Sequence, residues 1–277
     1  MSDTTAFEGL VDVPGGRLWA QWAGEGSAVV LVHAGIADAR MWDPQWDELV
    51  ARHRVARYDT RGFGRTETEA VPFSNRADLV AVMDAAGIDR AVFVGCSRAG
   101  QIVLDTALEY PDRCAGIVWV CGGVSGFEWD ETPEEMAAFE REEVLAEAQD
   151  WEALADHDVQ VWVDGIGQPA GRAPAFARDL VRLMTLQTYV QDKENGQPIV
   201  LDPPAAGRLG ELRVPVLAIV GGLDNSSIGP AAGLLVEQAG ARRIDLPDVA
   251  HMPSLERPEW FTETLLGFLS EVAAAGR

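Results

Sequence analysis

The sequence predicts an α/β protein: a doubly wound, mostly parallel sheet of eight strands, interrupted by a helical cap insertion. Three observations support this prediction. Apolar runs of strand length alternate with amphipathic stretches in both terminal parts of the chain. The alternation stops between about Val124 and about Leu209, where only helical patterns occur. Finally, a strand, a sharp turn and a helix follow one another around Ser97.

The N-terminal part begins with a hairpin and continues as strands alternating with helices. Residues 7–23 alternate apolar and polar side chains about a Pro-Gly-Gly turn, as a half-buried antiparallel hairpin does. The run 28–34 is continuously apolar, which is typical of a strand buried on both faces. Further strands are predicted over 54–59, 91–94 and 115–123, and helices through Trp46 and Leu49, over 75–86, and directly after Ser97.

The same rhythm resumes near residue 215. It predicts a strand over 215–224, a helix near 231–238, a strand in ARRIDL and a terminal helix from Pro258 to about Ala274. The sheet domain is therefore expected to comprise residues 1–123 and 210–277, with a helical cap over 124–209. Thr132-Pro133-Glu134-Glu135 gives the first cap helix a typical start, with acidic residues in its first turn.

Ser97 lies on the predicted strand-to-helix turn, with Gly95 two residues before it and Ala99 two residues after. Such a turn projects the serine hydroxyl away from the backbone, and it tolerates only small residues at these flanking positions. Small residues around a serine also occur by chance. The strand, the helix and suitable downstream partners make Ser97 a candidate nucleophile.

A base and an acid follow Ser97 at the ends of later strands. Asp224 ends the predicted strand 215–224, and His251 lies in the loop between the last strand and the last helix. Loops at the carboxyl ends of parallel strands share one edge of the sheet, so the three residues should meet there. We therefore expect Ser97, Asp224 and His251 to form a catalytic triad, in which Asp224 orients the imidazole. His53 and His157 are expected to face solvent.

These motifs resemble those of the α/β-hydrolase superfamily over nearly the whole chain outside the cap. The resemblance rests on His33-Ala34-Gly35, Asp59-Thr60-Arg61-Gly62-Phe63-Gly64, the serine turn, Gly221-Gly222-Leu223-Asp224 and His251. It implies an oxyanion hole formed by the backbone N–H groups of Gly35 and Arg98, with Ile36 as an alternative donor. His33, Asp59 and Arg61 would brace their loops. The stretches HAGIADARMWDPQ and RYDTRGFG are similar to 3-oxoadipate enol-lactonases and related carboxylesterases.

The substrate pocket is expected to involve Ile36, Arg98, Trp129, Trp162 and Met252. The cap aromatics and apolar residues, which include Phe139, Trp151 and Leu183, either line this pocket or attach the cap to the core. The Arg98 side chain has two interpretations: it binds a substrate carboxylate, or it pairs with one of the many acids of the cap. The abundance of acidic residues in the cap favours the ion pair.

Composition and charge indicate which kinds of partner the protein is expected to bind. The 22 basic and 44 acidic residues give a formal charge of −22, which disfavours nucleic acids and anionic membranes. The first nine residues have no secretory pattern, and three cysteines without framework spacing indicate a reduced, cytoplasmic setting. We expect no metal and no cofactor. The partner would be a small-molecule substrate, and the sequence leaves monomer and homodimer open.

These features predict a serine hydrolase that cleaves a small or medium carboxylic ester or lactone through an acyl-enzyme. Other reactions remain open on the same triad: C–C bond hydrolysis, perhydrolysis, and biosynthetic cyclisation or acyl transfer. A hydrolase fold that only binds a small molecule is a further alternative, which an intact triad makes less attractive.

Overall fold

The computed structural model describes residues 6–191, 193 and 196–275, and among these nine strands form one mixed sheet. In chain order the strands are β1 Phe7–Val13, β2 Gly16–Ala23, β3 Ala28–Val32, β4 Arg54–Tyr58, β5 Glu67–Thr68, β6 Ala91–Cys96, β7 Cys114–Val120, β8 Val216–Gly221 and β9 Arg242–Leu246. Their order across the sheet is β1-β2-β4-β3-β6-β7-β8-β9, and β5 pairs with β2. The predicted fold class is confirmed, and only the two-residue β5 adds to the eight expected strands.

The antiparallel hairpin β1–β2 forms one end of the sheet, and the strands from β3 onward run parallel to one another. Phe7 opposes Trp22 in the hairpin register, and their rings stack at 4.0 Å between centroids. The β2–β4 pair is also antiparallel, so β4 joins the hairpin to the parallel part.

The parallel strands are buried because helices cover both faces of the sheet. Successive residues of β3 alternate between two core clusters, with Val30 and Val32 in one and Val29 and Leu31 in the other. This is the two-residue period of a strand that is apolar on both sides. The continuous apolar run in the sequence therefore reports burial on both faces.

The helices are α1 Asp43–Val50, α2 Asn75–Ala85, α3 Arg98–Glu109, α4 Pro133–Glu147, α5 Trp151–Asp158, α6 Ala175–Gln191, α7 Ile228–Ala239, α8 Pro253–Glu256 and α9 Pro258–Ala275. Buried residues of α2, α3 and α7 belong to one core cluster, and those of α1 and α9 belong to the other. Within the described residues, no helix is both long enough and apolar enough to cross a bilayer.

Residues 124–209, here called the helical segment, connect β7 to β8 and contain α4, α5 and α6. Thr132 caps α4: its hydroxyl accepts the N–H of Glu135, whose carboxylate accepts the N–H of Thr132. A seven-residue π-helix, Val159–Gly165, continues α5, and no sequence signal predicted it. Such helices are uncommon and frequently occur at functional sites. This one contacts the loops that follow β8 and β9: the carbonyl oxygen of Trp162 accepts the N–H of His251, and Gly165 lies against Leu223.

Candidate active site

Ser97 lies on the turn between β6 and α3 in a strained backbone conformation. Its φ of 60° and ψ of −127° fall outside the regions that residues with side chains normally occupy. A Cβ atom at Gly95 would collide with the carbonyl oxygen of Ala99, and one at Gly100 would lie 2.6 Å from the Cα of Gly122. The turn can close this tightly because neither glycine carries a side chain.

His251 lies between β9 and α8, beside Asp224 from the loop after β8. The distance between His251 Nδ1 and Asp224 Oδ2 is 2.7 Å, and the two side chains are only 4% and 2% exposed. Asp224 Oδ1 accepts the backbone N–H of Asn225 at 2.7 Å, which leaves Oδ2 for the imidazole. With Nδ1 donating to the carboxylate, Nε2 is the nitrogen available to accept a proton.

Ser97 and His251 line one cavity of about 720 Å³. Among the hydrogen bonds of the described residues, none joins the Ser97 hydroxyl to the His251 ring. Contacts between a nucleophile and its base are often long without substrate and tighten in the complex. The structure thus brings the candidate serine and the His251–Asp224 pair to the same cavity, at the carboxyl edge of the sheet.

The π-helix contacts His251 directly. The backbone N–H of His251 donates to the carbonyl oxygen of Trp162 at 3.2 Å, and the two rings lie 4.8 Å apart between centroids. Trp162 also stacks on Phe139 of α4, with ring centroids 5.8 Å apart. One face of the candidate base is therefore covered by the helical segment.

Arg172 joins the helical segment to the His251 loop. Its guanidinium donates at 2.5 to 2.8 Å to the carbonyl oxygens of Val163, Asp164 and Asp248 and to the carboxylate of Glu256. The other oxygen of Glu256 accepts the N–H of Ala250, the residue before His251, at 2.9 Å. We call Arg172 and Glu256 the clasp. Neither residue was a candidate from the sequence, because each lies in a stretch without a recognisable motif.

The predicted oxyanion donors lie at the ends of β3 and β6, which are neighbouring strands. The N–H groups of Gly35 and Arg98 donate to no acceptor among the described residues. Arg98 is the first residue of α3, where a helix leaves its N–H groups unpaired and favours negative charge. Arg98 lines the cavity, whereas Gly35 is half-buried and is not part of its lining.

The cavity differs in part from the predicted pocket. Arg98, Trp129 and Trp162 line it, whereas Ile36 and Met252 do not. Met252 is fully buried in the core cluster that includes α1 and α9, and Ile36 packs partly against that cluster. Side chains that the sequence did not single out complete the lining, among them Gln101, Ser125, Phe127, Leu201, Asn225 and Ile228.

Some of the lining residues that the sequence analysis missed could have been predicted from their positions in the chain. Ser125 and Phe127 follow β7 directly, and Asn225 follows β8, so the rule that sites lie at the carboxyl edge applies to them. Leu201 comes from an irregular stretch with no motif. Of the cap residues considered, Leu183 is 46% exposed and Trp151 stacks on Tyr189, away from the cavity lining.

The described residues do not support the favoured interpretation of the Arg98 side chain. No described acid forms an ion pair with Arg98, and Asp192 and Glu194 of the helical segment lie outside the described residues. Instead its Nη2 donates to Thr60 Oγ1 at 2.5 Å, and its Cζ lies 4.8 Å from the centroid of the Phe63 ring. The side chain turns toward the loop after β4, which the abundance of acids in the cap did not predict.

The remaining histidines and loop residues are structural. His53 is only 9% exposed and its Nδ1 lies 2.9 Å from Ser27 Oγ, so the expectation that it faces solvent is wrong. His157 is half-buried, with Nε2 2.8 Å from the carbonyl oxygen of Ala138. Asp59 accepts N–H groups from two loops, at 2.8 and 2.9 Å, and burial raises its pKa to about 6.

Comparison with known proteins identifies the family. The sequence matches the alpha/beta hydrolase family over residues 29–264. It is 28% identical over 270 residues to a putative carbamate hydrolase RutD of Azorhizobium caulinodans, covering 92% of this chain and 96% of the relative. It is 26% identical over 262 residues to a pimeloyl-[acyl-carrier protein] methyl ester esterase of Yersinia enterocolitica, covering 92% and 98%.

A solved structure shows the same likeness in three dimensions. The enol-lactonase from Burkholderia xenovorans LB400 superimposes with a TM-score of 0.73 at 26% sequence identity, covering 95% of this chain and 100% of the enol-lactonase. The sequence match spans both parts of the sheet and the helical segment between them. The chain belongs to the α/β-hydrolase family.

Proposed function

We propose that this protein is a serine hydrolase that cleaves small or medium carboxylic esters or lactones. The observation that carries the proposal is the cavity itself, which the strained Ser97 and His251 both line, with His251 held by the buried Asp224. Relatives whose names denote an ester hydrolase and an enol-lactonase support the same class of substrate.

In the first step Ser97 Oγ attacks the carbonyl carbon while His251 Nε2 takes its proton. Asp224 holds the imidazole in the required tautomer and stabilises the imidazolium. The carbonyl oxygen becomes an oxyanion, which the N–H groups of Gly35 and Arg98 stabilise. Collapse of this intermediate expels the alcohol, which takes the proton from His251, and leaves an ester on Ser97.

In the second step water cleaves the ester on Ser97. His251 Nε2 removes a proton from the water, the hydroxide adds to the acyl carbon, and the same two N–H groups stabilise the second oxyanion. His251 then returns the proton to Ser97 Oγ as the acid leaves. Both steps use only protein groups and water. Within the described residues, no group of three or more histidine, cysteine or acidic side chains is placed to bind a metal.

The lining of the cavity favours an apolar acyl or alcohol group. Trp129, Phe139 and Trp162, all from the helical segment, line the cavity together with residues that follow the strands of the sheet. We propose that residues 124–209 act as the cap of the site and that their aromatic side chains bind the apolar part of the substrate. We also propose a cytoplasmic location, which the three cysteines support because they are free thiols.

The proposal is tested by intact-mass spectrometry after incubation with a fluorophosphonate, which forms a stable covalent adduct with an activated serine. We expect one adduct, at Ser97, in the wild type, and none in Ser97→Ala. His251→Ala should label more slowly by at least about 100-fold, because the serine loses its base.

Two other serines of the cavity provide matched controls. Ser125 Oγ donates to Asp105 at 2.6 Å, and Ser227 Oγ lies near Asn225 without a histidine partner. Ser125→Ala and Ser227→Ala should label as the wild type does. Labelling that persists in Ser97→Ala, or ester hydrolysis that survives it, would refute the proposed nucleophile.

A further inference from the structure

Arg98 is a cation that the structure leaves without an acidic partner among the described residues. Its Nη2 donates to Thr60 Oγ1, and its Nε is buried with no hydrogen-bond partner in that part of the chain. Burial disfavours the charged form and lowers the pKa of Arg98, although a guanidinium stays protonated at neutral pH. Burying a charge without an acidic partner costs free energy. The groups that Arg98 contacts therefore indicate its role.

Thr60 contacts both Arg98 and His33 and so connects them. His33 Nε2 accepts the backbone N–H of Thr60 at 2.9 Å, and Thr60 Oγ1 lies 3.0 Å from the same nitrogen. A backbone N–H only donates, so His33 Nε2 carries no proton. Thr60 Oγ1 therefore accepts from Arg98 and directs its own proton at His33.

The protonation state of His33 follows from these contacts. Burial, and next the charge of Arg98, lower the pKa of His33 to about 4, so the ring is neutral at pH 7. With Nε2 unprotonated, the proton lies on Nδ1, which is 2.7 Å from the carbonyl oxygen of Ala34 and donates to it. The Thr60 N–H thus fixes the tautomer of His33 that holds this carbonyl, and the Arg98 charge opposes protonation of Nε2, which would break both contacts with Thr60.

The Ala34 carbonyl sets the direction of the next N–H. Its oxygen accepts from His33 Nδ1 and from the N–H of Ala37 at 3.2 Å, which fixes the Ala34–Gly35 peptide. In a trans peptide the C=O and the following N–H point in opposite directions. Holding the oxygen on the His33 side therefore turns the Gly35 N–H away from His33.

We propose that the Arg98 side chain is the positioning residue of the oxyanion hole, acting through Thr60, His33 and Ala34 on the Gly35 N–H. These four residues, Arg98, Thr60, His33 and Ala34, are called the Arg98 relay. The proposal rests on the proposed function, because it assigns the Gly35 and Arg98 N–H groups to the oxyanion. One residue then serves both donors: Arg98 supplies one N–H itself and orients the other through its side chain.

The guanidinium also lies close to the proposed Gly35 donor. A Cβ atom at Gly35 would be 3.9 Å from Arg98 Nε, so the guanidinium runs alongside the Gly35 backbone. A preorganised positive group beside an oxyanion stabilises it more than it stabilises the neutral carbonyl. Loss of the relay should therefore lower kcat and leave KM for a neutral ester nearly unchanged.

The central test compares Thr60→Val with Thr60→Ser on 4-nitrophenyl acetate. Valine keeps the shape of the side chain and removes the hydroxyl, whereas serine keeps the hydroxyl. We expect kcat to fall about 10- to 100-fold in Thr60→Val, with KM within about twofold, and to stay within about threefold of wild type in Thr60→Ser. Equal kcat values for the two variants would overturn the proposal.

Arg98 variants separate the relay from direct binding of a substrate carboxylate. Arg98→Met should lower kcat as Thr60→Val does, and the double variant should be no slower than the slower single variant, because both break one chain of contacts. A neutral ester is compared with its carboxylate-bearing counterpart, 4-nitrophenyl hemisuccinate. If Arg98→Met only raises KM for the hemisuccinate, Arg98 binds the substrate and the relay is refuted.

A measurement without turnover separates this proposal from the proposed function. In NMR titrations, the His33 pKa of about 4 should rise in Arg98→Met, because the neighbouring cation is gone. An unchanged His33 pKa would contradict the relay even in an active enzyme. Absence of fluorophosphonate labelling at Ser97 in the wild type would instead refute the proposed function.

Discussion

The two sides of the candidate site are held in place by different means. Ser97 is positioned by its own backbone, since the strained turn, β6 and α3 are consecutive in the chain. His251 is positioned by side chains and carbonyl groups from distant segments: Asp224, Trp162 of the π-helix, and the clasp of Arg172 and Glu256.

Because of this difference, substitutions on the two sides of the site should act in different ways. A change at the serine turn acts through backbone geometry, which can relax only by moving β6 or α3. A change around His251 removes one of several contacts, so the loop loosens by degrees. We therefore expect abrupt losses on the serine side and graded losses on the histidine side.

The largest effect is expected for Gly95→Ala. The added Cβ would collide with the Ala99 carbonyl oxygen, so the strand or the helix must shift. We expect a destabilisation of about 2–4 kcal/mol and a loss of more than about 100-fold in fluorophosphonate labelling at Ser97. Urea denaturation and intact-mass spectrometry measure the two effects.

Gly233→Ala is the matched control, because Gly233 lies within α7 and a Cβ there meets no atom within 4 Å. Alanine has the higher helix propensity, so this variant should be more stable by up to about 1 kcal/mol and label normally. A Gly95→Ala protein with normal labelling would show that the serine turn is not held by close packing.

The same contrast explains which parts of the fold and of the candidate site could be predicted from the sequence. The serine turn is contiguous, so the spacing of its glycine, serine and alanine can be recognised in the sequence itself. The carboxyl-edge rule then placed Asp224 and His251 near Ser97. The fold followed in the same way, because strands buried on both faces leave continuous apolar runs such as 28–34.

Contacts between distant side chains left no comparable trace. The clasp joins residues 84 positions apart, and Arg98 contacts Thr60 from 38 positions away. The count of nearby acids suggested an ion pair for Arg98, yet the direction of its side chain decides its partner. The π-helix contacts the His251 loop, and its sequence VQVWVDG carries no recognised signal for that geometry.

On the histidine side, Arg172→Met breaks the clasp. It leaves the carboxylate of Glu256, which is 2% exposed, without its guanidinium partner. We expect a loss of about 2–4 kcal/mol in stability, since an uncompensated buried charge remains, and a fall of about 10-fold in kcat as the His251 loop loosens. Urea denaturation and steady-state kinetics on 4-nitrophenyl acetate measure these changes.

Arg182→Met is the control for Arg172→Met. Arg182 also forms two ion pairs, with Glu152 and Asp156, but these acids are 67% and 63% exposed. Its loss should change stability by no more than about 0.5 kcal/mol and leave kcat unaltered. The double variant Arg172→Met/Glu256→Gln should recover part of the lost stability. If it is no more stable than Arg172→Met, the buried carboxylate is not the cause.

The smallest effect concerns Asp158, which ends α5 immediately before the π-helix. Burial, with a smaller contribution from Glu142, raises the pKa of Asp158 to about 7, while Tyr189 donates a hydrogen bond to it at 2.6 Å. The unfolded chain loses this proton near pH 4, so between about pH 4 and pH 7 the folded protein binds more protons. Over that range the charge of Asp158 reduces stability as the pH rises.

Asp158→Asn removes this titration, and its effect should therefore grow with pH. We expect its stability relative to wild type to increase by about 1 to 2 kcal/mol between pH 5.5 and pH 8, because the neutral amide replaces a group that is charged at the higher pH. Asp156→Asn, on the exposed face of the same helix, should show no such increase. A stability difference that stays constant from pH 5.5 to pH 8 would mean that Asp158 is already ionised in the folded protein. The junction of α5 and the π-helix, which contacts His251 through Trp162, would then contain a buried charge. The cost of burying that charge would destabilise the histidine side, as backbone strain destabilises the serine side.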